Sequence, residues 1–147
     1  MKRKHFLSSF IPLAATFGAV ASGKTSFDGD SPVVKPPYLK AGDTVGICCP
    51  AGFITIEDIQ PALLKLKEWG FTARIGETIG KNDFTFGGTD DERLNDLQQM
   101  LDDKSIKAIL FARGGYGGVR IIDRLSFKKF DRDPKWIIGF SDATVFH

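Results

Sequence analysis

From about residue 37 onward, short apolar runs alternate with segments whose apolar residues recur every three or four positions. The runs predict β-strands at about 43–49, 71–75, 106–112 and 136–140. The periodic segments predict helices between them. One ends at Gly70, with Leu63, Leu64, Leu66 and Trp69 as its apolar stripe and Pro61 in its first turn, where a missing N–H costs little. The next starts at Thr89, an N-cap with Glu92 three residues on to close a capping box, and buries Leu94, Leu97, Met100 and Leu101. A third, ending near Leu125, carries Val119, Ile121, Ile122 and Leu125 on one side. A long loop rich in glycine and aromatic residues spans about 76–88. Strands alternating with helices over short connections predict an α/β fold, a parallel, doubly wound, flavodoxin-like sheet.

In such a sheet, ligands bind beyond the carboxyl ends of the strands. Three segments are expected to gather on that edge: Pro50-Ala-Gly52, the turn 113–118, and Ser141-Asp142. The turn is the most distinctive, because Gly114, Gly115, Gly117 and Gly118 surround Tyr116 between a strand and a helix. Four glycines in five positions exceed what a tight turn needs and indicate a loop that faces a ligand. Its free N–H groups suit a carboxylate or the oxyanion of an acyl-transfer intermediate, and Arg113 suits a substrate carboxylate or a nearby Asp. A strand-to-helix turn of this kind can hold a nucleophile, yet no Ser, Cys or Thr stands in it. Ser141 is the nearest hydroxyl, but a Ser-Asp pair at a helix start is expected to be a cap.

The chain resembles the LD-carboxypeptidase family of serine peptidases from about Pro36 to His147. The resemblance rests on five motifs in order: Pro37-Tyr-Leu-Lys-Ala-Gly-Asp-Thr-Val-Gly-Ile47, Pro50-Ala-Gly52, Phe86-Gly-Gly-Thr-Asp-Asp-Glu-Arg93, Arg113-Gly-Gly-Tyr-Gly117 and Pro134-Lys-Trp-Ile-Ile-Gly-Phe-Ser-Asp-Ala-Thr144. It implies hydrolysis of the bond to the terminal D-alanine of peptidoglycan tetrapeptides by Ser, His and Glu, with the last two in a second domain. It also places the nucleophile at Gly118 or Val119, neither of which can attack a carbonyl. Arg113, Gly114, Gly115, Tyr116, Gly117, Ser141 and Asp142 remain as oxyanion or substrate-binding residues. The expectation is therefore an N-terminal domain, truncated at its C-terminal end and inactive alone. The alternatives are a non-catalytic module that binds a muropeptide or another carboxylate ligand, and an unstable fragment. A missing C-terminal domain or a partner chain would complete the site.

Composition narrows the setting. With 42% hydrophobic and 26% charged residues, the chain reads as globular. Residues 1–21 read as a signal peptide: Lys2-Arg-Lys-His5 is basic, Phe6 to Val20 is apolar, and Ala19-Val-Ala21 offers a cleavage site. Arg3-Lys-His-Phe-Leu7 is also close to a twin-arginine signal. The apolar part is too short for a membrane span. Export to the periplasm or medium is expected, with 22–36 as linker and 37–147 as the domain. Without the leader, 17 basic residues face 18 acidic ones, and no basic stripe with stacking aromatics invites nucleic acid. Gly18-Ala-Val-Ala-Ser-Gly-Lys-Thr25 matches a phosphate loop in letters but lacks the strand and helix such a loop needs. Adjacent Cys48 and Cys49 are expected to pack rather than bridge or bind metal. No cofactor is called for. His5 lies in the leader and His147 is terminal, so neither completes a triad.

Overall fold

The computed structural model describes residues 34–147; the expected signal peptide, most of the linker, the phosphate-loop match and His5 lie outside them. Four strands, β1 (Thr44–Cys48), β2 (Thr72–Ile75), β3 (Ile106–Phe111) and β4 (Trp136–Ile138), form one sheet in the order β2-β1-β3-β4. Every pairing is parallel. The expected α/β sheet is therefore present.

Apolar side chains pack on both faces. On one lie Leu97, Met100 and Leu101 of α2 (Asp90–Asp102) with Ile109, Phe111 and Ile121. On the other, Leu66 of α1 (Gln60–Glu68) packs with Val45, Ile47, Ile59 and Ala108. The register between β1 and β3 skips one residue after Ile106. That skip lets Ile106 and Ile109, an odd number of positions apart, share the α2 face.

The capping box forms: the Thr89 side chain accepts the N–H of Glu92, and the Glu92 carboxylate accepts the N–H of Thr89 at 2.9 Å. The α1 stripe is narrower than expected, because Leu64 is 67% exposed and Trp69 60% exposed, leaving Leu63 and Leu66 to face the sheet.

The third expected helix is corrected. Its segment makes two 3-10 turns, Gly118–Arg120 and Ile122–Arg124, with Ile121 fully buried and Val119 49% exposed. Three β-branched residues within four positions are poor helix formers. The segment is instead fastened sideways, by Arg120 to Asp90 at 2.7 Å and Arg124 to Asp91 at 2.6 Å.

Candidate active site

Parallel strands deliver three loops to one edge, and hydrogen bonds join them. After β1, the N–H of Cys49 donates to Thr78 Oγ1 at 2.8 Å, and Thr78 in turn donates to the buried Asp96 carboxylate at 2.5 Å. That chain fixes the start of the Pro50-Ala-Gly52 turn. The N–H of Gly52 then donates to the carbonyl of Gly114 at 3.0 Å, so the first loop rests on the glycine turn. The two thiols are buried and unbridged, as packing requires. Burial, aided by the Asp96 carboxylate, pushes the Cys49 thiol up to about 12.

The third loop carries the most informative backbone. Ser141 sits at φ +59°, in the left-handed region, directly after β4 and at the start of a 3-10 helix, Ser141–Phe146. For a residue with a β-carbon this conformation costs about 1–3 kcal/mol, and it recurs at functional sites. Gly139 and Ala143, two positions to either side, make the sharp bend possible: a β-carbon on Gly139 would lie 2.5 Å from the Ala143 methyl. Gly139-Phe-Ser-Asp-Ala143 is thus built like a nucleophile elbow, in which a strained serine stands at the top of a strand.

The capping reading of Ser141-Asp142 is corrected. Neither side chain caps the 3-10 helix. The Asp142 carboxylate instead accepts the N–H of Gly118 at 2.8 Å, reaching back to the glycine turn. Ser141 is exposed, and among the described residues its hydroxyl is engaged by no other group.

The glycine turn lies against this serine. A β-carbon on Gly114 would stand 3.1 Å from Ser141 Cβ and 3.5 Å from Ser141 Oγ, so only glycine allows the approach without displacement. Among the described residues, the N–H groups of Gly114, Gly115 and Asp142 donate to no protein acceptor. A hydroxyl beside a turn with unspent backbone donors is an arrangement suited to acyl transfer.

Gly118 offers no such place. A β-carbon there would lie 2.7 Å from the Phe146 ring and 2.9 Å from the Asp142 carboxylate, with its N–H already spent on that carboxylate. Its neighbour Val119 is half exposed on the 3-10 turn.

Beside the turn runs a cleft of about 320 Å³, walled by Phe53, Phe84, Arg113, Gly115 and Tyr116. Arg113 donates through Nη1 to the carbonyl of Phe53 at 2.9 Å, and among the described residues no other protein acceptor takes its guanidinium. Tyr116 leans on Phe86, ring centroids 6.3 Å apart. The residues expected from the sequence, Arg113 through Gly117 with Ser141 and Asp142, therefore do come together. No group of three or more His, Cys, Asp or Glu among the described residues is arranged to hold a metal.

Sequence reasoning missed Arg93 and Asp96. Both are buried on the inner face of α2, where they share the helical spacing of Leu97 and Met100. A charge four residues before each apolar anchor was the available signal. Burial draws the Arg93 guanidinium below its ordinary range, and the Asp90 carboxylate opposes that shift.

Comparison with known proteins gives consistent results. Residues 45–147 match the model of the LD-carboxypeptidase N-terminal domain. A probable murein peptide carboxypeptidase of Bacillus subtilis is 39% identical over 113 residues, covering 77% of this chain and 35% of the relative. Among solved structures, the microcin C7 self-immunity protein MccF in complex with aspartyl sulfamoyl adenosine overlays with a TM-score of 0.70 at 28% identity, over 76% of this chain and 33% of that one. An active-site mutant of that protein has a serine among its replaced residues. Muramoyltetrapeptide carboxypeptidase from Oxalobacter formigenes overlays with a TM-score of 0.62 at 28% identity, over 70% of this chain and 34% of that one. The chain spans about a third of the length of the curated relatives it matches.

Proposed function

The chain belongs to the LD-carboxypeptidase family, as its N-terminal domain, and from that premise we propose that it supplies the nucleophile half of a serine carboxypeptidase acting on murein peptides. Ser141 is the nucleophile. The backbone N–H groups of Asp142 and Gly115 receive the oxyanion, in the manner of an elbow whose next residue and a neighbouring loop each give one donor. Arg113 takes the terminal carboxylate of the substrate in the cleft, which restricts cleavage to the last residue. The single observation that carries this reading is the left-handed backbone of an exposed, unengaged serine against a turn of free N–H groups.

This reading moves the nucleophile away from Gly118 and Val119 and so removes one reason for expecting an inactive domain; the other, a second domain that carries His and Glu, stands. The general base is assigned to the part of the relatives that this match does not cover, since among the described residues no acid or base is hydrogen-bonded to Ser141. That same observation supports a second reading, in which the domain alone binds a muropeptide or another carboxylate ligand without cleaving it. Export, with residues 1–21 removed, belongs to the proposal and rests on the basic start, the short apolar run and Ala19-Val-Ala21.

A fluorophosphonate separates the two readings. In a protein joining this domain to the remainder of the Bacillus subtilis relative, the reagent is expected to add to the tryptic peptide that begins at Trp136, on Ser141. A folded joined protein labelled elsewhere, or not at all, contradicts the assignment.

A further inference from the structure

Arg93 lies in the first turns of α2 and is wholly buried. A buried guanidinium needs a counter-charge, and Asp90 provides it. The remaining donors do something that ion pairing does not require. Nε donates to the carbonyl of Gly88 at 3.2 Å, and Nη1 donates to the carbonyls of Pro50 at 2.5 Å and Gly117 at 3.0 Å. Phe86 covers the guanidinium, its ring centroid 4.9 Å away. The three carbonyls belong to three separate loops: the one after β1, the one before α2, and the glycine turn after β3. A planar fork with fixed donor directions can hold three such acceptors at once, whereas an ammonium on a flexible stem cannot fix their angles.

The far end of the glycine turn is shaped around this contact. Gly117 has φ +135°, and a β-carbon there would stand 2.8 Å from Arg93 Nη1 and 3.1 Å from the Phe86 ring. The turn is thus held at two points: Gly117 by Arg93, and Gly118 by Asp142. Between those points and β3 lie the unspent N–H groups of Gly114 and Gly115, and Gly114 packs against Ser141.

We propose that Arg93 is a positioning residue for acyl transfer: by holding the Pro50 and Gly117 carbonyls on one nitrogen, it sets the turn so that its free N–H groups favour a tetrahedral oxyanion over the planar peptide. The inference rests on Ser141 as the nucleophile. Preorganised donors discriminate in this way only if their frame does not shift when charge develops. Arg93 reaches no substrate itself and acts entirely through the turn.

The test uses the chain itself, labelled with ¹⁵N and followed at the Gly115 and Asp142 amides. Two probes are titrated: a murein tetrapeptide ending in D-alanine, and its analogue with a tetrahedral phosphonate in place of the scissile amide. Arg93→Lys is expected to weaken the phosphonate at least tenfold while tetrapeptide affinity stays within twofold. Gly117→Ala, which keeps the arginine but breaks its contact with the turn, is expected to do the same. Asp90→Asn, which removes a partner of Nη2 but neither acceptor of Nη1, is expected to bind the phosphonate like the wild type.

Folded Arg93→Lys and Gly117→Ala that bind the phosphonate normally would overturn the inference. Equal losses for both probes would also overturn it, since a merely structural role predicts them. Should Arg93→Lys fail to fold, Gly117→Ala decides. A wild-type chain that binds neither probe overturns the reading of Ser141, and this inference with it; binding by the wild type with no change in the variants removes only this inference.

Discussion

The Asp142 carboxylate accepts the N–H of Gly118 at 2.8 Å, so the residue beside Ser141 holds the end of the glycine turn. One side chain thereby couples the loop after β4 to the loop after β3.

That coupling gives a prediction for Gly118→Ser. The added side chain meets the Phe146 ring and the Asp142 carboxylate at under 3 Å. Overpacking of this kind costs about 1–3 kcal/mol. The expected outcome is a lower midpoint of chemical denaturation and no gain of hydrolysis. A variant as stable as the wild type that gained activity would restore Gly118 as the nucleophile position.

Acid stability follows from Asp90. Its hydrogen bond to Arg120, with the charges of Arg93 and Arg120, holds its carboxyl below the ordinary aspartate value. A depressed folded value contributes stability that is complete above the unfolded value, about 4, and is lost as pH falls through the folded one. Asp90→Asn is therefore expected to lower stability at pH 7 and to flatten its decline below about pH 4. Denaturation midpoints from pH 2 to 7 check this, and parallel curves for the two proteins would contradict it.

Much of this architecture was legible in advance, for reasons visible in particular residues. Strand runs such as Ile106–Phe111 are apolar because both faces of the sheet are covered, and Thr89 with Glu92 announces a helix start through local hydrogen bonds alone. The segment after Gly118 was misread because apolar periodicity at Val119, Ile121 and Ile122 does not reveal that Arg120 and Arg124 are pulled sideways to α2. The residues expected at the site gather at one edge, but the letters alone do not reveal the backbone of Ser141 or the bond from Gly118 to Asp142. Ser-Asp at a helix start has the letters of a cap, and only the backbone angle at Ser141 separates that from an elbow. Gly139 and Ala143, two positions to either side, were the sequence signal for it.

Cys48 and Cys49 are expected to resist modification. Both are buried, and the Cys49 thiol is pushed up to about 12, so almost none of it is ionised at pH 8. A disulfide reagent at that pH is expected to label neither in the folded chain and both after denaturation. Rapid labelling of the native protein would place a reactive thiol where the structure has a packed one.

Export predicts a defined mass. Cleavage after Ala21 leaves a product starting at Ser22. Mass spectrometry of the secreted or periplasmic protein checks it, and an intact Met1 would count against it.

The most direct test of Ser141 is release of D-alanine from a murein tetrapeptide by this domain joined to the remainder of the Bacillus subtilis relative, compared with the same protein carrying Ser141→Ala. Loss of a serine nucleophile can lower kcat by up to about a millionfold. The predicted result is turnover in the parent protein and at least about a thousandfold loss in the folded variant. Turnover that survives Ser141→Ala would contradict the account.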